Sequence, residues 1–267
     1  MILLKLIMFP AKTAYLKYSS SVPLSSVALT LFFLSIVATP LANADEVLFN
    51  AKYKGKYAGM TIASTRTLTT NGHGEYQIVS KMKNIFGSIS ETSQFTLVDG
   101  VITPSLYHYK RSLMGFKSDE TIEFDWAAAS AHYRRQDKPS KNKDHTLEIG
   151  TLDPVLYQLQ IQRNVHAGLE AFKVSFAKPN KIKTLLFHKT EEDTLNVGGK
   201  TYPAIKLERI NIDDTKKTHI WVIPALNHQI GRIEHIEEDG DSYNFYLSEY
   251  EASANLVTEL YPAATRK

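Results

Sequence analysis

The chain has 267 residues, and 31 Lys+Arg against 28 Asp+Glu give a formal charge of +3. Lys5, Lys12 and Lys17 are the only charges before Asp45, so residues 45–267 are balanced and offer no net surplus of cations for a nucleic acid or an anionic surface. The absence of cysteine excludes disulfides, thiol catalysis, Cys-rich zinc sites and a lipidated N-terminal cysteine, while 43% hydrophobic and 22% charged residues suit a globular protein with a sizeable core.

Residues 1 to 22 hold three lysines and no acid, and Val27 to Ala38 is apolar apart from Thr30 and Ser35. Pro40 then breaks the helix, and Ala42-Asn43-Ala44 places small residues where a signal peptidase needs them. This predicts an export signal over residues 1–44, cleaved after Ala44, with Met8 as an alternative start. The apolar run is shorter than the ~20 residues of a spanning helix. No later run is apolar enough to span, so the expected product is a soluble periplasmic or secreted protein.

Between residues 46 and 136, β-rich runs alternate with turn signals at Asn71-Gly72, Phe86-Gly87, Asp99-Gly100 and Met114-Gly115, which predicts successive antiparallel hairpins. In Thr121 to Trp126, Ile122, Phe124 and Trp126 share one face, with Thr121, Glu123 and Asp125 on the other. Gln136 to His145 is polar and Lys-rich and reads as a surface loop. Asp153-Pro154 supplies an N-cap with Pro at the first helical position, and Val155, Leu156, Leu159 and Val165 form a stripe before Gly168, so one short helix is predicted near residues 153–166.

From Ala171 strands return, with turns at Pro179-Asn180, Gly198-Gly199, Asp213-Asp214, Asn227 and Asp239-Gly240. The alternation slips between Leu207 and Ile210 and again near Gly231, which reads as bulges that curve a sheet. Residues 253–267 lose alternation and are expected to fray as a tail. The fold class is mainly β: one domain over residues 45–252, a single curved antiparallel sheet forming a roll or incomplete barrel.

Motifs for chemistry are sparse. There is no G-x-S-x-G elbow, and Ser80 and Lys83 of one S-x-x-K match fall on opposite faces of a strand, while Ser140 and Lys143 lie in the polar loop. Nine histidines lack metal-ligand spacing, and His219, His228 and His235 are the one group that adjacent strands could bring together; no metal or cofactor is expected. Glu123 and Asp125 share a face, as paired acids of a glycosidase must, and as ordinary solvated residues do. Gly72-His73-Gly74, Gly198-Gly199 and Glu237-Glu238-Asp239-Gly240 read as hairpin turns rather than phosphate or calcium loops.

The order of short motifs in the C-terminal half is more specific: Leu152-Asp153-Pro154, Leu156-Tyr157-Gln158-Leu159, Lys206-Leu207-Glu208-Arg209, Thr218-His219-Ile220-Trp221, Arg232-Ile233 and Asp239-Gly240, with Tyr53, Gly55 and Gly59 at the start. Together they resemble the bacterial exported family known as domain of unknown function 3108, over nearly all of residues 45–267. One departure is Gln229-Ile230-Gly231, where members often carry a Leu-Pro-Val type run. The resemblance implies a Gram-negative envelope protein curled into a β-roll, and it implies no reaction.

The functional expectation is a non-catalytic binding or accessory protein that holds a lipid, another hydrophobic ligand or an envelope protein's chain on the curved sheet, with Phe124, Trp126, Tyr157 and Trp221 lining a cavity. A filled core explains the same aromatics. The alternatives are an envelope glycan or lipid hydrolase acting through Glu123 and Asp125, and a module that pairs through an exposed strand edge.

Overall fold

The structure, a computed structural model, describes residues 45–57, 60–210 and 216–261. The predicted export signal, Met8, Gly59 and the Asp213-Asp214 turn lie outside those residues. The described residues all belong to one compact unit.

The N-terminal half of this unit is a run of hairpins: β1 (Glu46–Tyr57), β2 (Met60–Thr70), β3 (Glu75–Asn84), β4 (Gly87–Val98), β5 (Val101–Leu113), β6 (Phe116–Asp125), β7 (Ser130–Arg135) and β8 (Lys143–Thr146). The predicted turns join them. Asp99-Gly100 and Met114-Gly115 both take positive φ at two successive residues, as two-residue hairpin turns require. The second half holds β9 (Thr151–Leu152), helix α1 (Leu156–His166), β10 (Ala171–Lys178), β11 (Lys181–Val197), β12 (Lys200–Ile210), β13 (Lys217–Ile223), β14 (Gln229–Ile236), β15 (Ser242–Ala252) and helix α2 (Leu256–Leu260).

All these strands belong to one sheet in the order β8-β7-β6-β5-β4-β3-β2-β1-β15-β14-β13-β12-β11-β10-β9. Pairing of β1 with β15 joins the two meanders, and the β9–β10 pair alone is parallel among the described ladders. Topology forces curvature on this sheet. Laid flat, its edge strands β8 and β9 would stand about 65 Å apart at the usual spacing, yet only residues 147–150 connect them, a reach of about 18 Å. The sheet therefore rolls until its edges approach. No ladder joins β8 to β9 among the described residues. Instead His145 and Lys143 of β8 meet the carbonyls of Pro179 and Asn180 in the β10–β11 turn, at 3.2 and 3.0 Å, and the roll stays open along a seam.

Helix α1 occupies the concave side. Its buried residues, Leu156, Tyr157, Leu159, Ile161, Gln162, Arg163, Asn164 and Val165, go all round its circumference, as in a helix enclosed by protein rather than lying on a surface. Both halves of the sheet grip it: Gln158 accepts from Arg66 of β2 (2.8 Å), Gln162 donates to Gln229 of β14 (2.5 Å), and Tyr157 stacks on Phe176 of β10 with centroids 4.6 Å apart. Asp153 Oδ1 accepts the N–H groups of Val155 and Leu156 at 2.7 and 2.8 Å, the capping role predicted for it. The helix ends at Gly168, φ +74°, with Leu169 N–H reaching Asn164 O and Gly168 N–H reaching Val165 O, a Schellman closure.

Three expectations need revision. Gln136 to His145 is not loop throughout, since a 3-10 turn at Pro139–Lys141 leads into β8. Residues 253–261 do not fray: a second helix, α2, buries Leu256 and Leu260, and Tyr261 stacks on His166 of α1. Of the two bulges, the one near Gly231 is present, Gly231 being the extra residue where Trp221 pairs with Arg232 and Val222 with Ile230. A Cβ there would meet Ile223 Cδ1 at 2.5 Å, which explains the glycine. The other lies on β11, where Thr190 and Glu191 stand opposite Lys206.

Candidate functional site

Alternation along β2 to β7 sends apolar residues to the concave side, as in Leu68, Ile78, Ile122 and Tyr133, all buried. One register row breaks this rule. Arg66, Ser80, Glu91, Tyr109, Glu120 and Arg135 pair successively across six strands, and by parity they share the face of those apolar residues. A charged layer thus crosses the concave side beside the start of α1.

Its members are held mostly by side chains beside the row. Glu91 accepts from Tyr107 Oη at 2.5 Å, and Glu120 accepts from Ser118 Oγ at 2.7 Å and Tyr133 Oη at 2.9 Å. Arg135 reaches Glu120 at 3.5 Å and grips Asp137 with two hydrogen bonds of 2.8 Å. Burial raises the Glu91 carboxyl, partly offset by the Tyr107 hydrogen bond, and burial raises Asp153 to about 6 although Ser93, Leu156 and Val155 all donate to it. Arg66 Nε is buried without a hydrogen-bond partner among the described residues. A layer carrying this much desolvated charge is costly for a merely structural core.

Beyond the layer lies a rim. The β3–β4 and β5–β6 turns are joined by a hydrogen bond from Met114 N–H to Phe86 O at 3.0 Å. They expose Ile85 (89%), Phe86 (43%), Met114 (71%) and Phe116 (48%) side by side. This mouth of the roll thus sets a charged layer beside exposed Ile, Phe and Met side chains, whereas the opposite end exposes the smaller Val98 and Val101 beside Asp99.

The four aromatics predicted to line a cavity are not brought to one place by any described contact. Phe124 and Trp126 stack on each other, centroids 6.1 Å apart, and Trp126 Nε1 donates to Pro104 O at 2.7 Å. Tyr157 belongs to α1, against Phe176. Trp221 sits beneath the Arg232 guanidinium, 4.2 Å from the ring centroid, and its Nε1 donates to Asp193 at 2.9 Å. The histidines part company as well: His219 meets Glu234, His228 meets His166, and His235 meets Thr218. Glu123 and Asp125 are exposed, and Asp125 accepts the Ala128 N–H of its own turn. Sequence reasoning passed over Arg66, Glu91, Glu120 and Arg135. The available signal was parity, since each charge replaces an apolar residue at an inward position.

Comparison with solved structures gives a β-barrel-like protein of the domain of unknown function DUF1849 from Brucella abortus, at 10% identity and a TM-score of 0.50, covering 78% of this chain and 98% of that one. This likeness is one of fold. A structure described as a "putative lipoprotein" from Parabacteroides distasonis aligns at 10% identity and a TM-score of 0.31, over 76% of this chain and 94% of that one. No curated protein matches the chain. The family described as "Protein of unknown function (DUF3108)" matches over residues 49–248, and the chain belongs to it.

Proposed function

We propose that this is a protein exported to the periplasm, without catalytic activity of its own, that binds an amphipathic ligand or a partner's apolar segment at the mouth of the roll. The observation that carries this reading is the charged row Arg66–Glu91–Glu120–Arg135 on the concave face, next to the exposed rim of Ile85, Phe86, Met114 and Phe116. Polar groups at fixed positions beside apolar surface are what a site needs to orient a molecule with one charged and one greasy end. Helix α1 fills much of the concave side, so the rim, rather than a deep cavity, offers the apolar contact. In this reading Phe124, Trp126 and Tyr157 wall the interior, and Trp221 supports β13 and β14. Strand addition has less to support it: β8 is four residues long and charged, and β9 is two residues long and buried.

Native mass spectrometry of the protein recovered from the periplasm without detergent, followed by lipid analysis of the denatured sample, tests the proposal. A bound species of defined mass, lost in Glu91→Gln/Glu120→Gln, is the expected result. A bare polypeptide mass, with no protein trapped by crosslinking at the rim, would refute it.

A further inference from the structure

We infer that the β3–β4 and β5–β6 hairpin tips dock onto an anionic phospholipid bilayer, inserting their apolar residues while a collar of lysines meets the phosphates. The inference names the surface on which the proposed binding protein works, and it stands or falls on its own test.

The collar comes from register. On the convex face Lys54, Ala63, Lys83, Ser88, Ser112 and Lys117 pair successively across β1 to β6, which sets three lysines in one row separated by small residues. The row behind it holds Lys52, Lys81, Lys110 and Asp119, with Lys52 paired to Glu249 and Lys110 to Asp119. Lys54, Lys81, Lys83 and Lys117 are exposed and make no ion pair within 4 Å among the described residues, with Glu249 in electrostatic reach of Lys54. Balanced net charge hides this concentration, because the front row holds three lysines and no acid. Equal totals are therefore compatible with a strongly basic end.

The tips supply the second half of an interfacial site. Ile85 and Met114 are exposed by 89% and 71%, so neither contributes to the core. Met114 also adopts φ +47°, a left-handed conformation that costs a long L side chain and that Asn, Asp or Gly would take more easily. A side chain that stabilises nothing and strains its own turn is placed for a contact outside the molecule. Lys83 and Lys117 stand two and three residues behind these tips, about 7 to 10 Å along a strand. That matches the depth at which interfacial segments bury apolar groups below the headgroups. Small residues between the lysines let a flat surface approach.

The test uses protein recovered from cells expressing the full chain, mixed with vesicles of phosphatidylcholine alone or with 30% phosphatidylglycerol. Sedimentation with the anionic vesicles at low salt is expected, falling as salt screens the collar. Lys54→Gln/Lys83→Gln/Lys117→Gln should weaken partitioning about 100-fold, and Ile85→Ser/Met114→Ser at least tenfold, with unchanged near-UV circular dichroism in both. Equal binding to neutral vesicles, or no binding to anionic ones at low salt, would overturn the inference. A ligand found by native mass spectrometry alongside either of those results would leave the binding reading intact and remove only the membrane.

Discussion

Two groups of cations, one in each half of the sheet, are placed differently. On β12 and β14 two cations are held within the fold: Lys206 meets Glu191 at 2.5 Å and lies over Trp221, while Arg232 covers Trp221, approaches Tyr246 and binds Glu234 at 2.6 Å. The row of Lys54, Lys83 and Lys117 on β1 to β6 sets exposed lysines among serine and alanine, while the row behind it pairs Lys52 with Glu249 and Lys110 with Asp119. Stacked and paired cations stabilise the sheet that carries them. Solitary exposed lysines contribute little to stability, so their grouping at one end calls for a contact beyond the fold.

Four measurements sharpen that contrast. The largest expected effect is Trp221→Ala, which removes a ring 3% exposed together with its Asp193 hydrogen bond and the seat of Arg232, and should cost about 3 to 5 kcal/mol in urea unfolding. Next is Asp153→Ala, which leaves the N–H groups of Val155 and Leu156 and the Ser93 hydroxyl without a buried acceptor, and should cost about 2 to 4 kcal/mol.

Asp153 also gives a pH signature. Its folded pKa of about 6 lies above the unfolded value of 3.8, so its contribution is fully present below pH 3.8 and is lost as pH rises through 6. Wild type should thus lose about 3 kcal/mol relative to Asp153→Asn between pH 3 and pH 7. His235 and His228, held down to about 4 chiefly by burial, slope the other way in both proteins and cancel in that difference. The smallest effect belongs to the collar: replacing Lys54, Lys83 and Lys117 by Gln should shift stability by less than about 0.5 kcal/mol per site.

Much of the fold was legible in local chemistry. Positive-φ turns at Asp99-Gly100 and Met114-Gly115, the Asp153 cap and the Gly231 bulge each follow from residues within a few positions of one another. The curved, open roll agrees with the fold class read from the sequence, but the joining of its two meanders was not legible, because it depends on β1 pairing with β15. The candidate site was hidden for the same reason. Arg66, Glu91 and Glu120 are 25 and 29 residues apart in sequence and become neighbours only through register, as do Lys54, Lys83 and Lys117. The burial of residues 253–261 likewise depends on α1, which a loss of alternation cannot reveal.

The most direct test compares the two ends of the roll at matched exposure. Phe116 at the rim is 48% exposed and Val98 at the opposite end 54%. With a photoreactive phenylalanine analogue placed at either site in living cells, adducts to a lipid or a partner should form at position 116 and be absent at position 98. Equal labelling of both ends, or labelling confined to position 98, would contradict the account.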